Sequence, residues 1–200
     1  MIAIIDYGIG NLGSVKNAFD YLKIESVITR DKDVILNADK VILPGVGAFS
    51  DAMNTFISFG FDKVIDELIK KNTPILGICV GMQMLFERSF EYGTHKGLSI
   101  LKGDFVRFDD EKALVPEIGW NQIKVVNDSI ILEGLDNKDC YFVHSYYLSN
   151  YDPMDVISYT EYAGVIYPSA VRRGNLFACQ FHPEKSGDVG LSILKKFGEL

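Results

Sequence analysis

Basic residues are scarce in this 200-residue chain: 20 Lys and Arg stand against 27 Asp and Glu, a formal net charge of −7. No basic run exceeds two residues, as at Lys70-Lys71, Arg172-Arg173 and Lys195-Lys196. A phosphate-binding face needs clustered cations, so nucleic acid is not an expected partner. Cysteine is sparse and odd in number, at Cys79, Cys140 and Cys179, which excludes a disulfide framework and points to a reducing compartment. Long apolar runs are missing. The opening Met1-Ile2-Ala3-Ile4-Ile5 meets Asp6 at once, so neither a signal peptide nor a membrane span is expected. No grouping of His, Cys, Asp and Glu has metal-ligand spacing, and no metal or cofactor is expected. A soluble, acidic, cytoplasmic protein remains.

What is present is a large apolar share, 48% of residues, enough for a sizeable core. In the first half, short apolar runs alternate with helical spacing. Strands are expected at Ile2–Asp6, Ser26–Thr29, Lys40–Leu43 and Pro74–Ile78. Helices are expected at Ser14–Leu22, Ala48–Ser58, Phe61–Lys71 and Val80–Glu87. That alternation implies a parallel sheet covered on both faces. The second half is richer in Val, Ile and aromatics, with turn residues between short runs. Phe105–Phe108, Gln122–Val126, Cys140–Val143, Val156–Tyr159 and Leu176–Gln180 read as added antiparallel strands, and Gly190–Phe197 as a closing helix. The expectation is one α/β domain over residues 1–200: a mostly parallel central sheet, flanking helices and extra antiparallel strands.

Four segments carry candidate chemistry. Gly77-Ile78-Cys79-Val80-Gly81 joins an apolar strand to a helix. Flanking glycines allow the sharp turn that holds a nucleophile above a strand end, and a thiol at a helix N-terminus favours thiolate. Gln180-Phe181-His182-Pro183-Glu184 places an imidazole near a carboxylate in a segment that Pro183 keeps from being helical. That is the base half of a Cys–His–acid triad. Leu43-Pro44-Gly45-Val46-Gly47-Ala48 is a glycine turn whose N–H groups can hold an oxyanion. Gly8-Ile9-Gly10-Asn11-Leu12-Gly13, with Asp31 after the second strand, spells a dinucleotide-binding fingerprint. A nicotinamide reading leaves Cys79 and His182 unexplained and is set aside. Cys140 and Cys179 read as core, and His95 as solvated. His144 is the remaining base candidate, with no acid beside it in sequence.

Cys79 in its elbow, His182-Pro183-Glu184 about a hundred residues on, and Pro44-Gly45-Val46-Gly47 before both resemble the triad-type, class I glutamine amidotransferases. Asp6–Leu12, Leu43–Phe49, Gly77–Gln83, Gly119-Trp120-Asn121, Phe142–Tyr147 and Gln180–Ser186 narrow the resemblance to the glutaminase subunits of imidazole glycerol phosphate synthase. The resemblance implies a flavodoxin-like α/β fold. It implies hydrolysis of glutamine by Cys79, His182 and Glu184, with an oxyanion hole at Val46, Gly47 and Val80. It places Gly45, Gln83, Glu91, Ser145 and Tyr146 around the substrate. It implies a (β/α)8-barrel cyclase partner that receives the ammonia in histidine biosynthesis, met through Asn11, Trp120 and Lys185. Relatives that feed other synthases, such as sugar amidotransferases for surface polysaccharide, define the alternative. One departure bears on the partner. The family usually reads Val-Pro-His-Met-Gly-Trp near the interface, and here the stretch is Val115-Pro116-Glu117-Ile118-Gly119-Trp120. An anion at position 117 is expected to favour Lys or Arg across that interface.

Overall fold

The computed structural model describes residues 1–112 and 114–200. Strands β1 (Ile2–Ile5), β2 (Ser26–Thr29), β3 (Lys40–Leu43) and β4 (Ile75–Ile78) alternate with helices α1 (Leu12–Tyr21), α2 (Lys32–Leu36), α3 (Phe49–Ser58) and α4 (Phe61–Lys70). A short helix α5 (Val80–Gln83) leads to β5 (Arg88–Ser89), β6 (His95–Lys96) and β7 (Asp104–Arg107). Then come β8 (Glu117–Val125), β9 (Lys138–His144), β10 (Tyr146–Ser149), β11 (Val156–Tyr162), β12 (Val165–Arg173), β13 (Leu176–Cys179) and α6 (Gly187–Gly198). The main sheet runs β2-β1-β3-β4-β13-β12-β11-β8-β9. Its first five strands are parallel and its last four join antiparallel. A smaller sheet, β10-β7-β5-β6, stands beside it. The expected α/β class is present with a parallel and an antiparallel half, but β13, expected among the added antiparallel strands, lies parallel to β4 and joins the parallel half, with only its other edge antiparallel to β12. The apolar runs of β1, β4 and β13 are buried at every position.

The differences have local causes. Helix α2 was not expected; Asp31 makes it, accepting from the N–H groups of Asp33 and Val34 at 2.9 and 3.3 Å. Asp31, the candidate ribose acid, is therefore spent as a helix cap. Helix α5 stops at Gln83 rather than Glu87, because the carbonyls of Met84, Leu85 and Phe86 are drawn sideways to the N–H groups of Leu98, Ile100 and Ser99. Strand β12 was missed because Pro168 interrupts its run. The proline is tolerated because β13 pairs only from Ala170 onward, so Pro168 owes no ladder bond on that side. Strand β8 begins five residues before the expected Gln122, and that extension decides the surroundings of Glu117.

Candidate functional site

The sheet brings two distant segments together at one edge. β4 and β13 are parallel neighbours, with Ile78 opposite Cys179, so the residues that follow them emerge side by side at the carboxyl ends of the strands. The Cys79 N–H donates to the Cys179 carbonyl at 2.8 Å. Cys79 itself sits at φ 54°, ψ −112°, in the left-handed half of backbone space that a side chain adopts only under constraint. The constraint comes from the glycines. A Cβ on Gly81 would lie 1.9 Å from the Leu43 carbonyl oxygen, and one on Gly45 would lie 2.6 Å from the Gly81 nitrogen. The elbow and the Pro44–Gly47 turn are therefore packed backbone to backbone. The helix that follows Cys79, α5, has four residues.

The side chains of His182 and Glu184 are both buried, with Nδ1 2.8 Å from Glu184 Oε1. The ring nitrogen facing away, Nε2, has no hydrogen-bond partner among the described residues. Burial works against a charged His182, but attraction to the Cys79 sulfur and the Glu184 carboxylate outweighs it, and the ring is raised to about 10. A raised folded value means stability that is complete below the ordinary value of 6.5 and is lost as pH climbs through about 10. The stability gap between wild type and His182→Asn, read from denaturant melts, is expected to be widest below pH 6.5 and to close toward pH 10. A gap that widens with pH would contradict this arrangement.

Around these groups lies a cavity of about 380 Å³, large enough for an amino acid. Val46, Gly47 and Val80 line it, and their N–H groups meet no acceptor among the described residues. Gln83, Glu91, Ser145 and Tyr146 line it too. Gln83 is already engaged: its Nε2 donates to Gln180 Oε1 at 3.1 Å, and Gln180 Nε2 lies 3.5 Å from the Cys79 sulfur. Glu91 accepts from the Phe49 N–H and so braces the start of α3. Gly45 lies beneath the turn, buried, and not in the cavity wall.

The residues expected at a partner face divide. Trp120 is 58% exposed, beside Ile118 at 62%. Its ring stands 6.0 Å from Tyr141, over which Lys185 Nζ sits at 5.8 Å. Asn11 instead reaches inward, with Nδ2 3.4 Å from Glu184 Oε1. Two expectations need correction. Glu117 is buried, 2% exposed, and cannot face a partner's cations. His144 does have an acid beside it, because the early start of β8 sets Glu117 opposite it in the ladder.

The sequence reading assigned no role to Tyr7 or to Gln180. Tyr7 is fully buried and donates to the Pro44 carbonyl at 2.7 Å. Burial, then the nearby Cys79, pushes its phenol well up, so the donor stays protonated. Its signal was its place in the first glycine turn, one strand away from Pro44 in the sheet. Tyr7→Phe leaves that carbonyl unsatisfied, and a loss of about 1–2 kcal/mol is expected in denaturant melts.

A family model described as glutamine amidotransferase class-I matches residues 3–199. The chain belongs to that family. Imidazole glycerol phosphate synthase subunit HisH of Caldanaerobacter subterraneus subsp. tengcongensis is 47% identical, covering 100% of this chain and 98% of that protein. The HisH subunit of Chlorobaculum tepidum is 45% identical over the whole of both. Among solved structures, one of a glutamine amidotransferase aligns with a TM-score of 0.77 at 19% identity over 100% of both chains. PurLQS from Thermotoga maritima aligns at 0.75 and 17%, covering 98% of this chain and 96% of that one. These two share the fold. For a class I amidotransferase, the thiol, the imidazole–carboxylate pair and the free N–H groups have the parts that amide hydrolysis needs. Cys140 and Cys179, by contrast, are buried in strands, and burial pushes Cys140 up to about 12 and Cys179 well above its ordinary value. A glutamine-like electrophile is expected to label one thiol per chain, and mass spectrometry should place it on Cys79.

Proposed function

We propose that this chain is the glutaminase subunit of an imidazole glycerol phosphate synthase, hydrolysing glutamine and delivering ammonia to a partner in histidine biosynthesis. One observation carries the reading: a strained Cys79 shares a cavity with a buried His182–Glu184 pair and unpaired backbone N–H groups. Full-length similarity to HisH subunits supports the choice of synthase. Cys79 sulfur attacks the side-chain amide carbon of glutamine, with the proton given up by the thiol held on His182, whose charged form the site favours. The N–H groups of Val46, Gly47 and Val80 are the candidate donors to the tetrahedral oxyanion. His182 then protonates the departing nitrogen, the carbon–nitrogen bond breaks, and ammonia leaves a γ-glutamyl thioester. Water adds to the thioester, His182 takes and returns a proton, and glutamate leaves with the thiol restored. Glu184 orients the ring and offsets its charge. Glu91, Gln83, Ser145 and Tyr146 are the proposed holders of the amino-acid end.

The proposed partner is a (β/α)8-barrel cyclase, met at the exposed Ile118, Trp120 and Lys185 beside the cavity. Glu117, which argued for a different partner surface, is buried and bears no more on that choice. The test is glutamate release by the chain alone, then with the cyclase subunit, then with the cyclase's ribotide ligand added. Stepwise stimulation is expected, since partner and ligand shift the oxyanion turn toward its active form. Equal rates in all three would overturn the pairing. Trp120→Ala is expected to weaken the complex by at least about tenfold in a binding titration, as loss of an exposed aromatic anchor does; unchanged affinity would remove Trp120 from the interface.

A further inference from the structure

Beside the cavity lies a second buried carboxylate and imidazole. Side chains of Glu117 and His144 are each 2% exposed, with His144 Nε2 3.2 Å from Glu117 Oε2. Tyr167 donates to the same Oε2 at 2.8 Å. Asn121 Nδ2, whose donor role is fixed by the Glu161 carbonyl at 2.9 Å, bonds Oε1 at 3.2 Å. Glu117 therefore accepts at both oxygens. His144 Nδ1 is 2.8 Å from the Tyr146 carbonyl, which can only accept. Nδ1 must carry a proton. Nε2 looks at a carboxylate oxygen and, at 3.2 Å, at a phenol oxygen whose proton is already given to Glu117. A bare lone pair facing a bare carboxylate oxygen would repel, so one proton lies between Nε2 and Glu117 Oε2.

We propose that Glu117 holds His144 as an imidazolium, and that this pair fixes the Ser145-Tyr146 backbone at the wall of the glutamine pocket. The second half rests on the proposed glutaminase function. Rings of Phe108, Phe142 and Tyr167 pack around His144 with centroids at 5.5, 5.8 and 5.4 Å. Glu117 from β8 is the charged group facing it, and the Tyr167 phenol from β12 faces it too. Burial, reinforced by Glu117, pushes the Tyr167 phenol far up, so it stays a neutral donor. The bond from Nδ1 to the Tyr146 carbonyl is then charge-assisted, about twice as strong as a neutral one. His144, Ser145 and Tyr146 all line the cavity, so a slack bond there loosens its wall. Glu117 and His144 act as positioning residues: they hold backbone and do not touch the reacting atoms. The residue that departs from the family pattern thus answers to its neighbour within this chain.

The ring nitrogens of the full chain answer the first half directly. Three histidines are present, and His95→Asn and His182→Asn assign them in ¹⁵N-resolved NMR spectra. At pH 8 the wild-type His144 ring is expected to show both nitrogens protonated, and Glu117→Gln to show one. A singly protonated ring in wild type overturns the ion pair, whatever the variant does. In the complex with the synthase partner, Glu117→Gln is expected to raise KM for glutamine about tenfold while kcat stays within about twofold. An unchanged KM, or a fall in kcat alone, overturns the positioning role. If the wild-type complex releases no glutamate, the glutaminase reading fails and the positioning role falls with it, while the ring signals still decide the ion pair.

Discussion

Cys79→Ala is expected to lower partner-stimulated glutamate release by at least about 10⁴-fold, the scale on which nucleophile removal acts in hydrolases that work through a covalent intermediate. The residual rate should be that of the cavity and its N–H groups alone. Labelling by a glutamine-like electrophile should vanish with it, since Cys140 and Cys179 are shut inside strands. The fold should survive, because the elbow is shaped by Gly77, Gly81 and Gly45 rather than by the thiol. Stability then separates function from scaffold. At φ 54°, ψ −112°, any side chain stores strain of about 1–3 kcal/mol, which glycine relieves. Cys79→Gly should therefore melt above Cys79→Ala, though both are inactive. An active Cys79→Ala would remove Cys79 from the chemistry. Equal melting of the two variants would mean that the backbone there is not strained.

The elements that the sequence made legible are those where one physical signal dominates. Buried parallel strands are nearly continuous apolar runs, so β1, β3 and β4 are legible within a residue. Helices α3 and α4 declared themselves by period. The proximity of the proposed triad residues had a local signal: glycine around Cys79 and proline between His182 and Glu184 restrict the backbone in ways that chemistry uses. What stayed hidden was pairing. Nothing near Glu117 in the chain hints at His144; the ladder of β8 with β9 creates that neighbour. Pro168 hid β12 because a proline's cost depends on which ladder bond it would have made. Asp31 shows the reverse error. Its spacing suited a ribose, but five residues of helix needed a cap more locally. Tyr7 belonged to a motif read as one unit, while the structure uses its hydroxyl to hold a different turn.

Gly81→Ala should damage stability and activity together. Its new Cβ would stand 1.9 Å from the Leu43 carbonyl oxygen and 2.9 Å from that carbonyl's carbon. Both are backbone atoms of a central strand, so no side-chain rotation relieves the clash. Either α5 lifts off β3 or the Pro44–Gly47 turn is pushed away. The expected cost is about 3 kcal/mol, at the upper end for overpacking, or roughly 6–12 °C in Tm for a chain of this size. Either movement parts the Val80 N–H from those of Val46 and Gly47, and a misplacement near 1 Å lowers kcat/KM by about 100-fold. The control is the same substitution where space is open. Gly13 lies in α1 with nothing within 4 Å of a built Cβ, and Gly13→Ala should stabilise the chain by about 0.4–1 kcal/mol. Gly81→Ala with wild-type Tm and kcat/KM would show that the elbow and the turn are not locked together, and the oxyanion assignment would lose its mechanical basis. A lowered Tm with kcat/KM unchanged would confine the contact to the scaffold. Loss of both, with Gly13→Ala gaining stability, ties the geometry of the thiol's turn to that of the N–H groups across from it.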